Sequence, residues 1–325
     1  MVNVSVVICT YNRAESLRDT LVSLVSQTVN GNPPYEIIVV DNNSKDRTKE
    51  VVQEFQAHNG RFVRYIFEGR QGLAYARNTG IRAAKGEIVA YVDDDVIVDP
   101  AWLEALWKCF RDTNADAVGG RILRKWYSEQ PVWYSEKVGG CLVHQDLGIL
   151  RKDWNSERQH FVTANIAFRR DVFDRFGIFR EELGRRGDEL VGGEDRELYQ
   201  RLIRGDSHVV YEPEALAYHK VEPERLTKKY FRRWFWDVGR TLGHEMERKW
   251  YHVMTIAPFW IWKDLFQTLI RFLRVELYPG SNARERFAAG IWILHYFAML
   301  RERFFHWLPF GLGNRWCAHQ IKGGI

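Results

Sequence analysis

The sequence predicts an α/β fold: a mostly parallel sheet covered by helices, followed by a helical C-terminal region. Three observations lead there. Short apolar, β-branched runs recur through the first two thirds of the chain. Segments with Leu, Val and Ile at helical spacing separate them. The runs are apolar at successive positions instead of alternating, as strands covered on both faces are. Strands and helices in alternation specify parallel strands joined by crossover helices. In such sheets ligands bind beyond the carboxyl ends of the strands.

The elements follow in order. "VSVVIC" (Val4 to Cys9) reads as the first strand. "RAESLRDTLVSLVSQ" places Leu17, Leu21, Leu24 and Val25 on one helical face. "YEIIVVD" (Tyr35 to Asp41) is a second strand, and Ser44 is positioned to cap a helix carrying Val51, Val52 and Phe55. "FVRYIF" is a third strand. "GLAYARNTGIRAAKG" reads as a helix ended by Gly86. "EIVAYV" is a fourth strand, and Asp99-Pro100 opens the helix "AWLEALWKCF" with Pro at its first position. "DAVGGRIL" gives a fifth strand. From Glu129 to Gln159 the pattern weakens into loops or short strands. "TANIAFRRDVFDRFG" restores a strand and a helix, and "GEDRELYQRLIRG" a helix closed by Gly205. "HVVYEP" and "ALAYHK" are extended. The last hundred or so residues read as helices, so the expected domains are 1–220, catalytic in type, and 221–325, helical.

Composition narrows the function classes. At 325 residues, 46% hydrophobic and 27% charged, the chain is an ordinary folded protein of one large or two moderate domains. Cys9, Cys109, Cys141 and Cys317 form no CxxC pair, which argues against a zinc site and suits a reducing compartment. "MVNVSVVICTYNR" lacks the basic start and long apolar core of a signal peptide. No nucleic-acid motif is present, and the GxGxxG of a dinucleotide oxidoreductase is missing. "CTYNRAE" is also unlike the Gly-rich loop of a nucleotidyltransferase.

Charge is unevenly placed. From Val221 onward there are 17 Lys/Arg against 9 Asp/Glu, a net +8, which leaves −3 for the rest. Eight of the 13 Trp fall in the same region. "MTIAPFWIWKDLFQTLIRFL" is interrupted by Pro258, Lys263, Asp264 and Arg271, and "FAAGIWILHYFAML" is too short to span a bilayer. Two readings stand: core or oligomer-packing helices, or a face that lies on an anionic membrane. The expected location is accordingly cytoplasmic, peripheral on the inner membrane face in the second reading.

"IVAYVDDDVIVDP" poses the chemical question. Asp93, Asp94 and Asp95 repel one another where a buried strand should end. A bare acidic turn would be solvated. This one shares a sheet edge with Thr10-Tyr11-Asn12 and with Asp41-Asn42-Asn43, so the three clusters outline one pocket. Carboxylates there suit a divalent cation whose shell is completed by phosphate oxygens. In "GGEDRELYQRLI", Glu194 and Asp195 open a helix. They read equally as a charged helix start or as a general base for an acceptor hydroxyl. His219, in "YHKV", is a structural histidine or a metal ligand beside an aspartate.

With these motifs in order, the chain resembles the family 2 glycosyltransferases, the inverting group with the GT-A fold. The resemblance covers roughly Val2 to Arg240. It rests on "VSVVICTYNRAESLRDTLVSL", "EIIVVDNNSKDRT", "GLAYARNTGIRAAKGEIVAYVDDD", "TANIAFRRDVFDRFGIF" and "GGEDRELYQRLIRG". It implies that Asp41 binds the nucleotide base, that Thr10, Tyr11, Asn12 and Arg13 line the base and ribose site, and that Arg77 lies against the nucleotide. Asp93 and Asp95 match the acids of the DxD motif. Asp93 would face the ribose, and Asp95, with His219, would ligate Mg²⁺ or Mn²⁺. Asp195 would be the catalytic base, with Glu194 beside it.

The chain departs from the processive members. Their QxxRW becomes "YFRRW", with Tyr230 in the Gln position and Arg233 and Trp234 retained, and evident membrane spans are missing. Arg232 and Arg233 would contact the donor diphosphate or an acceptor phosphate, or form a solvated basic face. The expected activity is metal-dependent, inverting transfer of one sugar per encounter, with a UDP-sugar as lead donor. The acceptor is a saccharide or lipid-linked saccharide. The competing function is a non-catalytic nucleotide-sugar-binding protein that organises a membrane assembly.

Overall fold

The computed structural model describes residues 3–28, 34–59, 62–154, 160–185, 192–246, 257–278 and 282–307. They fall into two units, one of residues 1–127 and 142–221 and one of residues 128–141 and 222–325. The segment Ser128–Cys141 therefore belongs with the C-terminal helices.

The first unit holds a nine-stranded sheet. Its parallel half is β1 (Val4–Thr10), β2 (Tyr35–Asp41), β3 (Val63–Phe67) and β4 (Ile88–Val92), in the order β3-β2-β1-β4. The rest continues as β8 (Asn165–Arg169), β6 (Ala117–Trp126), β9 (Val209–Val221) and β5 (Val96–Val98). The two-residue β7 (Lys152–Asp153) pairs with β9. β8 runs antiparallel to both β4 and β6. "HVVYEP" and "ALAYHK" are thus one 13-residue strand, parallel to β6 with a register shift between Gly120 and Ile122. β5 is the strand that the sequence pattern did not separate, because its three residues follow the aspartates directly.

The helices are α1 (Ala14–Val25), α2 (Thr48–Asn59), α3 (Leu73–Ala83), α4 (Trp102–Thr113), α5 (Asp171–Phe176) and α6 (Glu194–Arg204). Side-chain alternation along β1 sends Val4, Val6 and Ile8 to one face and Val7 to the other. The first set packs on Leu17, Leu21 and Leu24 of α1, Val51 of α2 and Trp102 of α4. Val7 shares its face with Ala74, Ala76 and Ile81 of α3 and Leu198 of α6. Both faces are covered, which is why the strands read as unbroken apolar runs.

Three local expectations change. Gly86 does not end α3, which stops at Ala83. A Cβ there would sit 2.7 Å from the backbone N of Ser5, so the glycine is needed for close approach to β1. Ser44 lies four residues before α2 and accepts from Asn12 N at 2.9 Å; Asp46 serves the helix start, accepting from Thr48 N. α4 begins at Trp102, because Asp99 Oδ1 takes Ala101 N into a turn around Pro100.

The second unit contains α7 (Lys228–Glu245), α8 (Phe259–Leu277) and α9 (Ala283–Trp307). α7 crosses α9 at Gly239 and Gly243, where a Cβ would meet His295 O at 2.5 Å and Met299 O at 2.6 Å. Trp133 stacks edge-on against Phe231 and Phe287, which ties the 128–141 segment to α7 and α9. Among the described residues, no helix is long and apolar enough to cross a membrane.

Candidate active site

The ends of β1, β2 and β4 meet the start of α6 and the end of β9. Two loops are stitched first. Asn12, at φ +53°, donates its N–H to Ser44 Oγ, and its Oδ1 accepts from Lys45 N at 2.7 Å. Asp41 is buried, accepting from Ser44 N at 2.8 Å and from the Tyr65 hydroxyl at 2.7 Å. Both its oxygens are engaged by the protein, with lone pairs left for a base only at the same atoms. Tyr11 is half-buried beside them.

Two arginines answer the charge problem of the aspartate triplet. Arg13 Nη1 donates to Asp94 Oδ1 at 3.0 Å and to Asp95 Oδ2 at 2.7 Å. Thr10 Oγ1 donates to the other Asp94 oxygen at 2.8 Å. Burial works to lower the Arg13 pKa, and Asp94 and Asp95 more than reverse it, so the guanidinium stays charged. Burial pushes the Asp94 carboxyl up, Arg13 opposes, and Asp95 adds to the rise.

Arg77, from α3, is buried near the first aspartate of the triplet. It pairs with Glu194, donates to Thr163 Oγ1, and lies 4.0 Å from Asp93 Oδ1. Its guanidinium sits over the Phe179 ring, 5.4 Å from the centroid. Arg77 therefore links the triplet to the first turn of α6. The Asp93 side chain is 39% exposed. Its carboxyl is raised by partial desolvation among its neighbours, with Arg77 opposing and Asp95 and Asp94 adding to the rise.

The Glu194–Asp195 pair divides. Glu194 is buried against Arg77, while Asp195 stays half-exposed, with Arg196 N donating to its Oδ1 at 2.8 Å. Gly193, at φ +113°, provides the turn into α6. Of the two carboxylates, Asp195 is the one partly exposed to solvent.

β9 brings in His219. Its register partner across the β5–β9 ladder is Val96, and Lys220 N donates to Asp95 O at 2.9 Å. His219 Nε2 lies 3.4 Å from Asp95 Oδ1, and both side chains are buried. A carboxylate oxygen and an imidazole nitrogen so placed can share one divalent cation, so these residues fit Mg²⁺ or Mn²⁺. Among the described residues, no group of three or more His, Cys, Asp or Glu side chains is arranged to hold a metal. The remaining ligands would be oxygens of a bound diphosphate or water.

Arg232, Arg233 and Trp234 lie on α7, in the second unit. Arg232 and Arg233 are exposed, and Trp234 packs near Gly140 and against the Phe235 ring.

Three contributors stood in the sequence motifs without a role of their own. Asn42 is buried; its Oδ1 accepts from Gly72 N at 2.8 Å and its Nδ2 donates to Arg70 O at 2.8 Å. It shapes the loop that delivers α3 and Arg77, and its place in "DNN" was the available signal. Asp94 was visible only as the middle of the triplet. Thr163 was visible only as the first residue of "TANIAFRR".

Comparisons with known proteins show the family and the fold. The chain belongs to glycosyl transferase family 2, whose family model matches residues 5–177. It is a glycosyltransferase of the kind that uses nucleotide sugars. It is 28% identical over 222 residues to the glucosyl-dolichyl phosphate glucuronosyltransferase of Haloferax volcanii, covering 67% of this chain and 69% of that one. It is 30% identical over 233 residues to glycosyltransferase AglE of the same organism, covering 70% and 71%. In fold it is similar to the mannosyltransferase PcManGT of Pyrobaculum calidifontis, solved with GDP-Man and Mn²⁺. There the TM-score is 0.55 at 19% identity, over 99% of this chain and 76% of that one. These likenesses and the mixed sheet bear out the expected GT-A fold.

Proposed function

We propose that the protein is a metal-dependent, inverting glycosyltransferase. It moves one sugar from a nucleotide-diphosphate sugar, with UDP as lead nucleotide, to a hydroxyl of a lipid-linked saccharide. The observation that carries this reading is the division of labour around Arg77. One acidic partner, Glu194, is buried, and its neighbour Asp195 is left partly exposed at the start of α6, which Arg77 joins to the aspartate triplet.

In this reading Thr10, Tyr11, Asn12, Arg13 and Asp41 shape the nucleotide site, and Asp93 faces the ribose. Asp95 and His219 hold the cation, which when bound stabilises the negative charge of the leaving diphosphate. Asp195 takes the proton of the acceptor hydroxyl as it attacks the anomeric carbon. One base and one displacement invert that centre. Relatives support the substrate classes: one is named for a glucosyl-dolichyl phosphate acceptor, and S. aureus TarS was solved with UDP-GlcNAc.

The second unit supplies the contact with an anionic membrane surface. The outward stripe of α8 carries Phe259, Phe266 and Leu277, which are 78%, 64% and 80% exposed. Lys263, Arg271 and Arg274 are exposed on the same helix. Apolar residues of this size bordered by long cations suit a lipid interface.

The test is a panel of UDP- and GDP-sugars, each with Mn²⁺, Mg²⁺ or EDTA, scored by free nucleotide released with and without a lipid-linked saccharide. Release that needs both cation and acceptor is the expected result. Undiminished release in EDTA would remove the metal from the mechanism.

A further inference from the structure

Arg13 stands among the residues that the family resemblance assigns to the nucleotide. The structure gives it other partners. Its Nη1 reaches Asp94 Oδ1 at 3.0 Å and Asp95 Oδ2 at 2.7 Å, so one nitrogen joins the second and third carboxylates of the triplet. Asp94 is held from its other side by Thr10 Oγ1 at 2.8 Å. Both Asp94 oxygens are thereby engaged, and the residue is buried. Arg13 holds Asp95 at Oδ2, and Oδ1 is the oxygen that lies 3.4 Å from His219 Nε2.

We infer that Arg13 is a positioning residue for the cation site: with Thr10 and Asp94 it forms a clamp that fixes the rotation of Asp95 and presents Oδ1, beside His219, to the metal. The inference rests on the proposed metal reading. It adds that Asp95 ligates through one oxygen, that Asp94 is an anchor and not a ligand, and that a cationic side chain next to a cation site assists metal binding.

The physics sets two effects against each other. Adjacent carboxylates repel, and the guanidinium between Asp94 and Asp95 removes that repulsion while holding both in place. Groups that orient a ligand typically carry a 10–100-fold share of metal affinity. Against this, a nearby positive charge opposes a second one. Arg13→Lys separates the two, because it keeps the charge and ends one bond short of the position of Nη1. Arg13→Gln removes both charge and reach.

The experiment titrates Mn²⁺ by electron paramagnetic resonance, with UDP or GDP present and no sugar donor or acceptor. The wild-type protein and both variants are measured, each with a thermal melt. If Arg13 positions Asp95, both variants bind Mn²⁺ roughly 10–100-fold more weakly than wild type. Binding by Arg13→Lys at wild-type strength, or tighter binding by Arg13→Gln, would mean that charge alone matters and would overturn the inference. A wild-type protein that binds no Mn²⁺ with either nucleotide would overturn the metal reading beneath it, a separate result. Should the Arg13 variants fail to fold, Asp94→Asn carries the test. It removes one arm of the clamp and leaves Asp95 and His219 in place, and undiminished Mn²⁺ affinity in it rejects the clamp.

Discussion

Arg77→Met tests the joint between the triplet and α6. The methionine fills much of the same space and removes the cation. Glu194 then loses its cationic partner in a site where its side chain is 4% exposed, as is that of Arg77. The Thr163 hydroxyl loses its donor, and Asp93 loses its nearest positive group. Breaking a buried ion pair from one side costs about 3–5 kcal/mol. For a domain of this size each kcal/mol lowers the melting temperature by about 2–4 °C, so the fall should be roughly 6–20 °C. The assay is thermal unfolding followed by circular dichroism, run as a cycle with Glu194→Gln and the double variant. The double variant should recover much of the loss, since no uncompensated charge remains. A single variant within about 1 kcal/mol of wild type, or a double variant no better than Arg77→Met, would refute the joint.

Further outcomes follow from the same geometry. Asp195→Asn should lower transfer about 10²–10⁴-fold with nucleotide binding unchanged by calorimetry; retained turnover would move the base elsewhere. Glu68, held by Arg70 and Thr79, has its carboxyl pulled down from about 4.5 to about 2. Its contribution to stability is therefore present above its unfolded pKa and lost as pH falls from about 4.5 towards 2. Urea melts across that window should show a smaller acid loss in Glu68→Gln, and identical slopes would dismiss the linkage. Phe266→Glu, on the exposed stripe of α8, should weaken co-sedimentation with anionic vesicles, and wild-type binding should fall as salt rises. No wild-type binding at low salt, with a stable dimer in solution, would assign the stripe to oligomer packing.

Much of the fold was legible because local rules and tertiary packing agree in the parallel half of the sheet. "VSVVIC" and "YEIIVVD" read as covered strands, and they are covered on both faces. Where they disagreed, packing prevailed. Gly86 carries a helix-ending signal, yet its role is close approach to Ser5 on another strand, 81 residues away in sequence. Ser44 has a capping side chain, but Asn12 uses it first. Such competition is invisible in one segment read alone.

The sequence by itself determined the chemistry on offer: an acidic triplet at a strand end, an acidic pair opening a helix, a histidine near the end of a long strand, and a basic, Trp-rich final third. Side-chain charge and periodicity are properties of the chain, so they survive without coordinates. Only the tertiary structure decided how those groups are used. It set Arg13 against Asp94 and Asp95 and Arg77 near Asp93, buried Glu194 while leaving Asp195 partly exposed, and brought His219 to Asp95 through the β5–β9 ladder. The reason is physical. Each of these pairings joins residues far apart in the chain, and ion-pair geometry and burial depend on distances that only packing sets.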